Sequence, residues 1–238
     1  MLDNVRVEDI MFLDIETVPQ ESGFENVSAD LQNLWDKKSK YFRDEEQSAG
    51  DVYGRAGIYA EFGKIVCISV GVVAARDTKR IFRVKSFAGD NEKLLLEDFR
   101  AMLNQFARDA HKNICGHNAK EFDFPFIARR MLIHGIKLPS ILDVAGKKPW
   151  EVKFLDTLDL WKFGDYKHYT SLNLLTTIFN IPSPKDDIDG SQVASVFYEE
   201  NDVARIAQYC EKDVLATAQL FLRFKGEDLI DEDAVEHA

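Results

Sequence analysis

Three places in the chain carry side chains whose types and spacing suit chemistry on a phosphate. The first is Phe12-Leu13-Asp14-Ile15-Glu16-Thr17. It closes the apolar run Ile10-Met11-Phe12-Leu13, which reads as a buried strand. Residues i and i+2 of a strand face the same way, so Asp14 and Glu16 present two carboxylates together at its end. Adjacent anions repel and resist desolvation. A hard divalent cation with oxygen ligands, Mg²⁺ or Mn²⁺, relieves both penalties. The same pair also fits a strand that simply runs out into solvent.

The second place is Gly116-His117-Asn118-Ala119-Lys120-Glu121-Phe122-Asp123-Phe124-Pro125-Phe126. A short apolar strand gives way to a polar loop and then a helix. Asp123 stands where a helix N-cap would stand, with Pro125 in the first turn. Capping alone would account for it, and Asn118 suits a turn. The third is Tyr209-Cys210-Glu211-Lys212-Asp213. Tyrosine and aspartate at i and i+4 share one helix face. Ile206, Leu215 and Ala216 make that neighbourhood apolar, so Asp213 needs a partner or a metal. A buried Tyr–Asp hydrogen bond is the plainer alternative.

The elements that must position these residues can be read from periodicity. Lys64–Ala74 is rich in β-branched residues and predicts a central strand. Arg80–Phe87 alternates and predicts a hairpin partner across Arg76-Asp77-Thr78. Leu94, Leu95, Phe99, Leu103 and Phe106 recur at helical spacing within 91–111. Short strands are expected at Asn113–Cys115 and Phe154–Asp156. Helices are expected at Phe124–His134, Leu172–Phe179, Ser191–Glu199 and Asp202–Phe224. Residues 20–60 are polar and read as an insertion after the first strand. Strands alternating with helices predict an α/β layered domain spanning residues 1–238, with a mixed sheet. Residues 226–238 read as a frayed, solvated acidic tail.

The 238 residues are 45% hydrophobic, enough for one sizeable core. No apolar run approaches the roughly 20 residues that cross a bilayer. The first residues lack a basic start followed by an apolar stretch, so no signal peptide is expected. Cys67, Cys115 and Cys210 sit apart in apolar stretches and read as free core thiols, which makes a cytoplasmic location the default expectation. The net charge of −11 argues against a nucleic-acid partner, since phosphates reward Lys and Arg. Its distribution weakens the objection. Residues 61–180 carry 19 basic and 14 acidic side chains, and the acidity lies at the two ends.

Taken in order, Asp-x-Glu on a first strand, Asn-x₄-Asp opening a middle helix and Tyr-x₃-Asp on a late helix resemble the three exonuclease motifs of the DEDD superfamily, in its tyrosine branch. The run from His117-Asn118 through Phe122-Asp123-Phe124-Pro125-Phe126 to Arg129-Arg130 is most similar to the proofreading exonuclease domain of family B DNA polymerases. The resemblance extends from about Val5 to Phe224, leaving no room for a polymerase domain. It implies a stand-alone 3′–5′ exonuclease with a ribonuclease-H-like fold, a mixed five-stranded sheet flanked by helices. In the sister branch a histidine five residues before the last aspartate acts as base. Gln208 occupies that position here, and His117 is assigned a structural role.

The resemblance further implies two divalent ions. Asp14, Glu16 and Asp213 would hold one, Asp14 would bridge to the other, and Asp123 would hold that second ion largely through water. Tyr209 would orient the attacking water, since an ordinary tyrosine, with a pKa of about 10, is a poor base. Thr17, Asn118, Phe122 and Phe124 are candidates for gripping the terminal nucleotides, with core packing the alternative for the phenylalanines. Lys120, Arg129, Arg130, Lys147, Lys148, Lys153, Lys162 and Lys167 are candidates for phosphate contacts. The segment from Lys167 to Leu172 is placed to line the cleft. Asp156 is expected to buttress the site and Asp159 to cap a turn. Single-stranded DNA is the favoured substrate. RNA 3′-end processing and a catalytically silent nucleic-acid-binding protein on the same fold are the alternatives.

Overall fold

The computed structural model describes residues 2–76, 79–152, 154–165, 167–182 and 188–238. Its centre is β1, Ile10–Pro19. Alternation along this strand decides what each side of the sheet becomes. Met11, Leu13 and Ile15 face one core, and Ile10, Phe12 and Val18 face the other. Asp14 and Glu16 occupy the second side, between Phe12 and Val18, where the pattern would otherwise place apolar residues.

Antiparallel to β1 runs β2, Gly63–Arg76, followed by β3, Lys79–Ala88. The expected hairpin is present, although Asp77 and Thr78 of its turn lie outside the described residues. A bulge falls between Glu16 and Thr17 of β1. On its other edge β1 pairs in parallel with β4, Asn113–Gly116, and β4 with β5, Leu155–Asp156. The strand order is β5-β4-β1-β2-β3-β6. The sheet thus has six strands, not the expected five. The sixth, β6 at Val235–His237, pairs in parallel with β3.

That strand also corrects the reading of the acidic tail. Ile230 is buried, and the Gln219 side chain both donates to its carbonyl and accepts from its N–H. Glu236 takes Arg76 and Arg83 of the hairpin, and Glu227 takes Arg80. A tail with these partners is docked.

Helices cover both faces. Helix α1, Ala29–Ser39, belongs to the segment between β1 and β2, which has a small aromatic core of its own around the fully buried Trp35. Helices α2, Glu92–Phe106, and α3, Asp123–Ile133, close the Leu13 side. Along the chain follow α4, Thr157–Lys162, α5, Leu172–Ile178, and the short α6, Val193–Ser195, which runs into a π turn at Val196–Glu200. Helix α7, Val203–Lys225, closes the Phe12 side. Ile206, Cys210, Val214, Ala218 and Phe221 give it one buried stripe at helical spacing. It starts on Asp202, whose side chain accepts from the Arg205 N–H, and stops at Gly226 in the left-handed conformation. Among the described residues no helix is long and apolar enough to cross a membrane.

Candidate active site

The site lies where β1 outruns β4. Strand β4 accompanies β1 only along Ile10–Phe12 and ends at Gly116. The chain then turns close over β1. A side chain at Gly116 would overlap Ala119 and approach the Leu13 carbonyl to 3.0 Å, so only glycine permits this turn. The next residues are held by Asp156. Its carboxylate accepts from the Asn118 N–H at 3.0 Å and the Lys120 N–H at 2.9 Å, and it caps α4 through Leu158 and Asp159. Asn118 itself takes a positive φ of 62°.

This loop delivers Asp123 to β1. Asp123 is the first residue of α3 and not its cap, which is Phe122. Its carboxylate instead accepts the Ile15 N–H at 3.1 Å, the backbone donor that β4 no longer satisfies. From the other side α7 brings Tyr209, Cys210 and Asp213. Glu16 and Asp123 are 8% and 3% exposed, while Asp14, Tyr209 and Asp213 are half-buried.

Electrostatically the four carboxylates form one group. Burial raises Asp14 well above the usual carboxylate range, and the charges of Asp123, Glu16 and Asp213 raise it further. Glu16 is raised well above its ordinary value by burial, then by Asp213, Cys67 and Asp123. Asp123 is pushed up to about 7 by burial, with Asp156 and Asp213 adding to it against the N–H groups it accepts. Acids in this state are poised to trade their protons for a cation. Ligand atoms of Asp14, Glu16 and Cys210 lie within 4.8 Å of one another, a group able to hold a metal ion.

The sequence model of a family described as a predicted 3′–5′ exonuclease related to the exonuclease domain of PolB matches residues 58–236. The chain belongs to this family. The match takes in Asp123, Tyr209 and Asp213 but begins after β1. In this member of the PolB-like exonuclease family, Asp14 and Glu16 therefore come to the site through the fold: β1 is the strand that Asp123, Cys210 and the α7 core all touch. Its mixed sheet between helical layers is ribonuclease-H-like, with the extra strand β6.

Several expected contacts change. Phe124 is 1% exposed and packs on Phe154 with centroids 4.6 Å apart, so it is core and does not face a nucleotide. Phe122 is half-buried against Phe126. Thr17 and Asn118 are half-buried at the bulge and in the loop. Arg130 is no phosphate ligand: it is buried against Glu92, with Nη2 at 2.5 Å and Nε at 2.8 Å from its carboxylate oxygens. Lys120 pairs with Asp159 at 2.8 Å, and the cap of α4 is Asp156, which accepts from the Leu158 and Asp159 N–H groups. Lys162 lies 3.8 Å from Glu121. Arg129, Lys147, Lys148 and Lys167 are exposed, and Lys153 lies outside the described residues.

All three cysteines are free and buried as expected, but Cys210 is more than filler. Its thiol lies 3.4 Å from both the backbone carbonyl and Oδ2 of Asp14. Its place inside Tyr209–Asp213 was the available signal. Cys67 was equally hidden in an apolar run, although it pairs across the sheet with Glu16.

Proposed function

We propose that the chain is a metal-dependent 3′–5′ exonuclease that releases nucleoside 5′-monophosphates from single-stranded DNA, with residues 1–238 acting as one catalytic domain. One observation carries this reading: Asp14, Glu16 and Asp123 lie together at β1, and burial, with one another's charges and that of Asp213, raises their affinity for protons. Without a cation such a group costs stability, and with cations it becomes a phosphate-handling site.

Asp14, Glu16 and Asp213 would hold one ion, and Asp14 with Asp123, the latter largely through water, would hold a second. Bound divalent ions supply an activated water and neutralise charge on the phosphate undergoing in-line displacement. The protein's own part is placement. Asp123 keeps its oxygen on the Ile15 N–H, which fixes it relative to β1. The Cys210 thiol steadies Asp14 from behind. Tyr209, one turn before Asp213, orients the attacking water by hydrogen bonding. The preference for DNA rests on the polymerase-B-like middle motif.

The test is incubation with single-stranded DNA and RNA oligonucleotides labelled at either end, in Mg²⁺ or Mn²⁺, beside Asp14→Ala. Stepwise loss of nucleotides from the 3′ end of DNA, abolished by the substitution, is expected. Activity that survives Asp14→Ala overturns the site assignment. Digestion of RNA alone makes the chain an exoribonuclease, and no digestion of either overturns the enzyme reading.

A further inference from the structure

The middle motif does not leave a second free aromatic face for a base, since Phe124 and Phe126 are buried and Phe122 leans on Phe126 at 5.5 Å. A different ring is open. Tyr169, in the segment before α5, is 66% exposed, and its ring meets the edge of His117 at 6.4 Å and 69°. Other exposed aromatics exist, including Tyr41, Trp150 and Phe163. Tyr169 differs in what surrounds it. It packs on the loop that carries Asp123 to β1, so its open face lies beside the support of the carboxylate group.

Its position is also fixed. His117 belongs to the loop that leads to Asp123. Its Nε2 lies 3.0 Å from the carbonyl of Thr170, a partner that can only accept, so Nε2 carries the proton. Burial lowers the pKa of the ring, which keeps it neutral, and Nδ1 is then free to accept from the Thr157 hydroxyl at 2.9 Å. The imidazole thereby ties the Tyr169–Thr170 segment to the Asp123 loop and to α4. An exposed aromatic face on a fixed support beside the reacting group is what an unpaired base needs.

We propose that Tyr169 is the stacking platform for the base of the 3′-terminal nucleotide. This rests on the exonuclease reading given above. A stack grips any base alike and acts before chemistry, so it enters KM more than kcat.

The experiment compares wild type, Tyr169→Phe and Tyr169→Ala on two single-stranded DNA oligonucleotides, one ending in an ordinary 3′ nucleotide and one in a 3′-terminal abasic residue. On the ordinary end Tyr169→Ala should raise KM about tenfold or more with kcat nearly kept, the scale of one lost base stack. Tyr169→Phe should behave as wild type. On the abasic end wild type and Tyr169→Ala should converge. Thermal melting should be unchanged in both variants, as the ring is exposed. Equal KM values for wild type and Tyr169→Ala on the ordinary end, or a deficit that persists undiminished on the abasic end, overturn the platform while leaving the nuclease standing. A wild type that degrades neither oligonucleotide overturns both.

Discussion

Asp14 stands in a register position that Phe12 and Val18 fill with apolar side chains, and its neighbours make it costlier still. That cost can be measured. Asp123 is neutral in both folded and unfolded chains at low pH. Its folded value is about 7 against an ordinary 3.8, so the stability tied to its protonated form is lost as pH rises through about 7. Asp123→Asn keeps an oxygen for the Ile15 N–H and removes the charge. In chelator at pH 8 this variant should melt roughly 3–8 °C above wild type, at about 2–4 °C per kcal/mol for a chain of this length, and yet lose activity by on the order of 10³-fold. A lower melting temperature would show that the pocket does not penalise that charge. By the same linkage, the stabilisation given by Mn²⁺ should grow as pH rises through about 7, because protons and metal compete for the same oxygens. A pH-independent shift in differential scanning fluorimetry would place the metal elsewhere. These acids could be recognised in the sequence because each breaks an apolar pattern or sits in a fixed spacing. Cys67 could not, since a buried thiol in an apolar run looks the same whether or not it lies across the sheet from a carboxylate.

The loop from Gly116 to Phe122 and helix α3 set where Asp123 can be. Asp156→Ala removes the acceptor for four backbone N–H groups. It should cost roughly 2–4 kcal/mol and lower activity at least tenfold by loosening the loop. Asp159→Ala, losing only a partly exposed pair with Lys120, should cost less than about 1 kcal/mol. Equal effects would refute the division of labour between these acids. On the far side of α3, burial pushes Glu92 up, but Arg130, the Ile65 N–H and His134 more than offset it and hold it below its usual value. Glu92→Gln should cost on the order of 3–5 kcal/mol in chemical denaturation, because the Arg130 charge stays buried. Strand and helix positions were legible: β2 through its run of β-branched residues, β3 through alternation, and α2 and α7 through a period of about 3.6. The start of α3 was not. Asp123 has the chemistry of a cap, and only the third dimension shows that the unpaired N–H of Ile15 has claimed it.

At the scale of the molecule, sequence composition misled at the tail. Ten residues rich in Asp and Glu resemble a solvated end, and a three-residue strand is too short to show a period. What docks it is remote: Gln219 on α7 and Arg76 and Arg83 on the hairpin. Deleting residues 230–238 should lower the melting temperature by roughly 5–15 °C, from the lost burial of Ile230 and the stranded Gln219 amide. An unchanged melting temperature would return the tail to solvent. The family match beginning at residue 58 carries a related lesson, because half of the acids lie before it and reach the site only through strand pairing. The closing contact of the site, Cys210 on Asp14, joins positions 196 residues apart. Synthesis runs from the N-terminus, so Asp14, Glu16 and Asp123 leave the ribosome well before α7 does. A nascent chain therefore carries three of the four acids with no helix to close over them, and a product terminated before Val203 keeps strand β1 without Tyr209, Cys210 and Asp213. Proteolytic surveillance of such fragments would meet apolar surface along Ile10 and Phe12, which the finished chain hides under α7.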